Sequence, residues 1–323
     1  MTDMKILFLS GWFPLPVDNG SKIRIFNLLR GLCGQHEVTL LSFYRRKDEL
    51  DYLPQIQAMC AKVEVVPWRE FNPSSLRATI GYFSPRPRSV IDTFSDEMSA
   101  LISKTLLSEP AFQLCILSQS HMLAYADCFQ NLPLLLEELE MAVLHDRYRT
   151  AVSFLNRLRR GLTWWKTARY TAARLKKMAA CTVVSQEEKA LVNHIAPTYQ
   201  PVKVVPNCID FDHYLEFSNQ PKENRIIHTG GLAYQANYEA VVYFLDQIWP
   251  MITAALPETE FWITGRSDGY PLPQAAAEPR VRLTGYVDDI RPVIAGSAVS
   301  VVPLLSGGGT RLKILESLAL NTA

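Results

Sequence analysis

The chain has 323 residues, enough for two ordinary domains, and its 48% hydrophobic and 20% charged residues are the balance of a globular protein. A formal net charge of +1 provides no overall field to attract nucleic acid. The six cysteines (Cys33, Cys60, Cys115, Cys128, Cys181, Cys208) form no CxxC pair and the six histidines no ligand spacing, so no metal site is signalled and reduced thiols are expected.

Lys5–Leu9 (KILFL) reads as a central parallel strand. A Gly/Pro-rich loop from Gly11 to Gly20 follows, at the carboxyl end of the first strand, where open α/β sheets place ligands; an ordinary turn is the alternative. A helix is expected from Ser21, with Ile23, Phe26, Leu29 and Leu32 facing the core. Val38–Phe43 is the second strand, Leu50–Cys60 is helical and Val63–Val66 is the third strand. Residues 67–90, rich in Pro, Arg and aromatics, read as an irregular excursion. Val90–Leu107 has helical period, and Phe112–Leu117 is a strand with His121 just past its end. That is a site-like position, although a lone histidine is more often structural. Pro133–Leu136 is a further strand, followed by Glu137, Glu138 and Glu140. Carboxylates there either supply a base or bind sugar hydroxyls, or else belong to a solvated loop.

From Arg147 to Ala180 there are ten cations and no acid. Leu155, Leu158, Leu162, Trp165, Ala172, Leu175 and Ala179 fall roughly on one face, and Gly161 is expected to interrupt the helix or separate two. Three readings stand for this stretch: contact with an anionic membrane surface, contact with an anionic substrate, or a solvated helix pair packed on the core. Cys181–Val184 is a strand, Ser185 with Glu188 reads as a capping box, and Val202–Val205 is another strand. The Pro-containing segments YQPVKVVPN and FSNQPKEN place a domain boundary near residues 200–220, taken as domains 1–200 and 201–323.

The second half restarts the alternation. Strands are expected at Arg225–His228, Glu260–Ile263 and Val281–Leu283, with a helix over Asn237–Trp249 and a short one opened by Asp288, Asp289 and Ile290. Three strand ends carry Thr-Gly: Thr229-Gly230, Thr264-Gly265 and Thr284-Gly285; small residues there keep a crevice open above a doubly wound sheet. Val299–Val302 is a strand, Gly307, Gly308 and Gly309 form a loop, and Thr310 opens a helix with Leu312, Leu315 and Ala319 on one face. A strand, glycine loop and helix N-terminus suit an anion. Arg311 and Lys313 there run against the helix dipole, which a bound phosphate would justify; solvated charges on a Gly-rich loop are the plain alternative. The spacing is neither that of a P-loop nor of the GxGxxG fingerprint.

These segments together resemble the retaining glycosyltransferases of the two-Rossmann-domain (GT-B) type, family 4 or group 1, which includes sucrose synthase and bacterial mannosyltransferases. The resemblance runs through TVVSQEE, VVPNCID (Cys208 standing where glycine is usual), HTGGLAYQANYEAVVYF, ITGR, VRLTGYVDD and VVPLLSGGGTRLKILESLA, in family order. It implies two doubly wound α/β domains facing across a cleft. It also implies transfer of a sugar from a nucleoside-diphosphate-sugar to a hydroxyl of a glycan or lipid-linked acceptor, with retention and without a metal or other cofactor, in polysaccharide or surface-glycan assembly. Carried over, Glu316 receives the ribose hydroxyls, Gly307, Gly308, Gly309 and Thr310 lie under the diphosphate and sugar, and Tyr286 and Val287 edge the base. Gly20 and Gly230 line the donor site, and Arg266, Arg311 and Lys313 neutralise the diphosphate. The family's second glutamate is replaced by Gly308, and the segment Gly231–Asn237 lacks the usual cations. The family's histidine beside the donor sugar has no match, leaving Glu138 or His121 to fill that space. By family standards the chain stops early, so an incomplete second domain is expected. A cytoplasmic location is implied, with residues 147–180 offering peripheral contact at the inner face of a membrane. Rival readings are a nucleotide-sugar epimerase or a phosphorylase-like enzyme of the same fold, or a non-catalytic scaffold.

Overall fold

The computed structural model describes residues 3–108, 111–267, 269–305 and 310–323. The chain divides into two units, Met1–Asn207 and Cys208–Ala323. In the first, seven strands form one parallel sheet: β1 (Lys5–Ser10), β2 (Glu37–Tyr44), β3 (Lys62–Pro67), β4 (Leu114–Ser118), β5 (Leu134–Glu137), β6 (Ala180–Val183) and β7 (Val202–Val204). Their order is β3-β2-β1-β4-β5-β6-β7. The chain therefore starts inside the sheet and winds outward in both directions, which puts a topological switch point between β1 and β4. Alternation along β1 feeds two cores. Leu7 and Leu9 join Leu41, Cys115, Leu117 and Ile102 on one face, while Ile6 and Phe8 join Leu40, Ile116, Ile25 and Leu29 on the other. Both faces are covered, so the strand reads as a continuous apolar run.

The second unit has four parallel strands, β8 (Glu223–Thr229), β9 (Glu260–Thr264), β10 (Val281–Gly285) and β11 (Ser297–Ser300), in the order β10-β9-β8-β11. Its faces are again divided by alternation. Ile226, Phe261 and Ile263 pack with Val241, Phe244 and Trp249; Ile227 and Trp262 pack with Tyr214, Ile294 and Leu320.

Several elements differ from their sequence reading. The helix after the first loop, Gly20–Cys33, is capped by the Asn19 side chain and buries Lys22 and Arg24 along with Ile25 and Leu29, whereas Ile23, Phe26 and Leu32 are only half-buried. Charge enters the interior because each cation is paired: Lys22 with Glu49 at 2.8 Å and Arg24 with Glu137 at 2.5 Å. The expected helix Val90–Leu107 is two, Arg88–Thr93 and Asp96–Ser108, because Ser95 Oγ accepts the Met98 N–H and starts the second one. Gly161 breaks nothing. It lies inside the 22-residue helix Phe154–Leu175, where a Cβ would sit 3.0 Å from the Tyr148 ring; the break comes earlier, between Arg149 and Phe154. The expected helix Asn237–Trp249 runs instead through Gln235–Tyr243, a wider π turn at Phe244–Ile248, and Trp249–Ala255. Pro250, which has no N–H to give to residue 246, fits that widened turn. The capping box at Ser185 is half formed. Ser185 Oγ accepts from Glu188 N at 3.2 Å, but the Glu188 carboxylate is drawn to the N–H groups of Met141 and Ala142, both at 2.9 Å, at the start of another helix.

Candidate functional site

Polar groups gather in each unit at the carboxyl ends of its strands. In the first unit β1 leads to Gly11, β4 to Gln119 and His121, and β5 ends in Glu137 with Glu138 next. Glu137 is therefore part of its strand rather than of a following loop. Its carboxylate takes Arg24 Nε at 2.5 Å and Ser118 Oγ at 3.1 Å, while Arg24 Nη1 also donates to Val205 O (3.0 Å) and Asn207 Oδ1 (2.8 Å). Glu137 is thus consumed in a buried brace.

Glu138 behaves differently. Its backbone has φ +57°, a region that costs a non-glycine residue about 1–2 kcal/mol, and it turns the side chain out of the strand's alternation. Burial, reinforced by the charge of Glu137, pushes its carboxyl up to about 8, so it is largely protonated at neutral pH. The Gln119 side chain, on a backbone with φ +79°, lies beside this carboxyl. His121 is neutral: burial and the charge of Arg45 lower it to about 4. Glu138 Oε2, Gln119 Oε1 and His121 Nε2 are buried with no hydrogen-bond partner. A Cβ on Gly11 would come 2.3 Å from His121 Nε2 and 2.9 Å from Gln119 Oε1, so only glycine lets these side chains approach the first loop. Beside them the Arg45 guanidinium lies between Trp12 (3.7 Å to the ring centroid) and Trp68 (4.6 Å), and the Trp68 ring is 5.2 Å from that of His121. Unpaired buried polar atoms each cost about 1–3 kcal/mol, and three together beside aromatic rings have the character of a site for a hydroxyl-rich ligand.

Gly20 is the first residue of helix Gly20–Cys33, next to its Asn19 cap. Lys22 N bonds that cap at 3.1 Å, so the helix N-terminus is partly satisfied by the chain itself.

In the second unit the three Thr-Gly pairs stand side by side, with Thr229 opposite Thr264 and Thr264 opposite Gly285. Gly230 (φ +123°), Gly265 (φ +104°) and Gly285 (φ +69°) all have left-sided backbones. Their smallness serves different ends. At Gly265 a Cβ would lie 2.6 Å from Gly231 N, so the glycine allows two loops to cross; at Gly230 it would strike the Asn237 amide at 2.5 Å. Only at Gly285 does a Cβ meet nothing within 4 Å, as a simple open crevice would require.

The final helix is Leu312–Ala319, two residues later than Thr310. Thr310 and Arg311 precede it, and Lys313 and Glu316 occupy its first two turns. Leu312 N bonds Thr310 O, and Arg311, at the cap position, has an extended-side ψ of 85° rather than a helical one. Gly307, Gly308 and Gly309 lie outside the described residues. β11 likewise comes earlier than Val299–Val302, because its pairing with β8 starts from Ser297 opposite Glu223 through an irregular register.

Lys313 Nζ donates to the Thr229 carbonyl and, at 2.9 Å, to Asn237 Oδ1; Asn237 Nδ2 in turn donates to Gly231 O at 3.1 Å. Burial lowers the Lys313 ammonium to about 8. Glu316 Oε1 accepts from Tyr214 OH at 2.9 Å, and burial raises the Glu316 carboxyl above its ordinary range. His228, fully buried between these strands, is lowered to about 3 by burial and the charge of Lys313, and its Nε2 has no partner. Arg266 is exposed, its guanidinium 5.9 Å from the Tyr286 ring, with half-buried Val287 next in the chain. The structure thus brings together Gly230, Lys313 and Glu316, and separately places both His121 and Glu138 near Gln119.

Asn237, Tyr214, Gln119 and the Arg24–Glu137 brace escape a sequence reading. Asn237 and Tyr214 meet their partners 76 and 102 residues away, and no local spacing announces such a pair. Arg24 carries a weak signal, an unneeded charge beside Ile25 on a helix otherwise headed for the core.

The fold has known counterparts. HepE of Anabaena, solved in complex with UDP and glucose, aligns with a TM-score of 0.61 at 15% identity, over 99% of this chain and 79% of that one. A glycosyltransferase from Rickettsia africae aligns at 0.59 and 11%, over 100% and 78%. The UDP-GlcNAc 2-epimerase of Methanocaldococcus jannaschii aligns at 0.54 and 9%, over 99% and 82%. At such identities the likeness is one of fold, and the class is the two-domain α/β fold of the GT-B glycosyltransferases. Residues 223–323 match the family described as Glycosyl transferases group 1. Compared by sequence with curated proteins, the chain matches none.

Proposed function

We propose that the protein transfers a sugar from a nucleoside-diphosphate-sugar, a uridine diphosphate sugar in the first instance, to a hydroxyl acceptor with retention of configuration. The observation that carries this reading is the grouping of Gly230, at the end of β8, with Lys313 and Glu316 of the final helix, the two side chains each held by a partner of its own, in the segment that matches group 1. Tyr214 fixes one oxygen of Glu316 and leaves the carboxylate further lone pairs for a ribose diol. Lys313, anchored by Thr229 and Asn237, places positive charge beside Gly230 where a leaving diphosphate gathers negative charge; Arg311 and Arg266 add to it. The protonated Glu138, Gln119 and neutral His121 bind acceptor or sugar hydroxyls without opposing the positive charge that develops on the sugar ring. A glycan or lipid-linked acceptor, and a role in polysaccharide or surface-glycan assembly, follow from the same reading.

Calorimetry of the purified chain against nucleoside diphosphates and their sugars tests it. Micromolar binding of one diphosphate, weakened at least about tenfold in Glu316→Ala, is expected, since a hydrogen bond to a charged group contributes about 1.5–3 kcal/mol. Full affinity in that variant refutes the assignment of Glu316. The fold shared with UDP-GlcNAc 2-epimerases favours one second reading, interconversion of a UDP-sugar without an acceptor. Product formed from the donor alone, as a new epimer, would establish it.

A further inference from the structure

Two elements of the first unit, far apart in sequence, meet on its surface. The excursion at residues 71–91 and the helix Phe154–Leu175 are tied by Lys166, whose buried ammonium donates to Gly81 O at 3.1 Å and Tyr82 O at 2.8 Å. Each presents large apolar side chains to solvent. On the excursion these are Leu76, Ile80 and Phe83, the last 93% exposed. On the helix they are Leu155, Leu158, Leu162 and Trp165, a stripe at three- and four-residue spacing, with Leu155 74% exposed. The neighbouring stripe of the helix, Gly161, Trp164, Ala168, Thr171 and Leu175, is the one turned toward the body. The sequence stripe expected on one face is thus split: Leu175 and Ala172 pack inward while Leu155, Leu158, Leu162 and Trp165 do not.

The charge around these side chains is mainly of one sign. Residues 71–91 hold Arg77, Arg86 and Arg88, the adjoining acids are engaged (Asp92 by Ser75 and the Asn72 N–H, Glu70 by Arg45), and the ten cations of 147–180 have no acid among them, in a chain of net charge +1. Asp127 pairs with Arg174 and Lys177 at the far end of the helix, whereas Arg159 and Arg169 flank the exposed stripe, Arg169 lying 5.0 Å over the Trp165 ring. Between the two elements is a cavity of about 130 Å³ lined by Arg77, Arg86, Val90, Ile91, Phe94 and Tyr170. It is too small for a nucleotide-sugar.

We propose that this face docks the first unit on an anionic lipid bilayer, the leucine stripe and Phe83 entering the acyl boundary and the arginines meeting lipid phosphates. Neutral lipid leaves the cations unmatched. A second copy of the chain, apposed through the same face, would set the cations of both copies against each other. An anionic bilayer satisfies both the apolar ridge and its basic flanks. Among the described residues no helix is long and apolar enough to cross a membrane, so the contact is one of lying on the surface.

The test is sedimentation of the full chain with vesicles of phosphatidylcholine alone or containing phosphatidylglycerol, at low and high salt. Binding to the anionic vesicles at least about tenfold stronger than to neutral ones, and weakened by salt, is expected. The triple variant Leu155→Ser, Leu158→Ser, Leu162→Ser should lose about tenfold or more of that binding, as should Arg159→Gln with Arg169→Gln. All five positions are exposed, and circular dichroism checks that the variants fold. If they do not, the lipid and salt dependence of the wild-type chain still decides. Equal binding to both vesicles, no binding to either, unchanged binding by the leucine variant, or self-association abolished by that variant would each overturn the proposal. Nucleotide affinity is read independently of all of these.

Discussion

Glu138→Gln isolates the unusual carboxyl of the first unit. An acid at about 8 in the folded chain and near 4.5 unfolded binds its proton more tightly when folded. Between those two values the unfolded chain carries fewer protons, so stability falls as pH rises from about 4.5 to 8 and is flat on either side. One pKa unit is about 1.4 kcal/mol, which makes the full loss about 5 kcal/mol and the part already incurred at pH 7 about 3 kcal/mol. Glutamine has the same shape and does not ionise. The variant should match the wild type near pH 4.5 and become progressively more stable than it toward pH 8. Urea unfolding at half-unit steps from pH 4.5 to 9 measures the difference directly. Parallel curves for the two proteins would show that Glu138 ionises as an ordinary surface carboxylate, and the neutral hydroxyl-binding cluster around it would then be wrong.

Lys313 is shifted the other way, downward by burial. As its ammonium loses its proton around pH 8, diphosphate affinity should fall through that pH in calorimetry from pH 6.5 to 9.5; Lys313→Met should bind weakly throughout and show no such inflection. Glu137→Ala leaves Arg24 buried and uncompensated and should cost about 3–5 kcal/mol in urea unfolding, with much of it recovered when Arg24→Met is added. Gly265→Ala, whose Cβ would meet Gly231 N, should destabilise by about 2 kcal/mol or more and abolish nucleotide binding, whereas Gly285→Ala should cost only about 1 kcal/mol, the backbone term alone. Equal melting temperatures for the two alanine variants would contradict the crossing of the loops at Gly265.

The sequence by itself determined the alternation of strands and helices, the restart of the pattern in the second half, and the Thr-Gly ends of β8, β9 and β10. Each is written in neighbouring residues: apolar runs of strand length, helical spacing, and glycine where the chain must turn. The final helix and its Lys313 and Glu316 were legible for the same reason, apart from a start two residues late. Tertiary structure decided what the chemistry of those residues becomes. Glu137 and Glu138 are adjacent and identical in type, yet one is spent on Arg24, 113 residues away, while the other is turned by a positive φ into a low-dielectric pocket and kept protonated. Lys313 and Glu316 acquire their positions from Thr229, Asn237 and Tyr214, and Gly161 its purpose from Tyr148. Ion pairing, burial and close approach depend on which distant segments the sheet order brings together, and that order is not encoded in any local window of the chain.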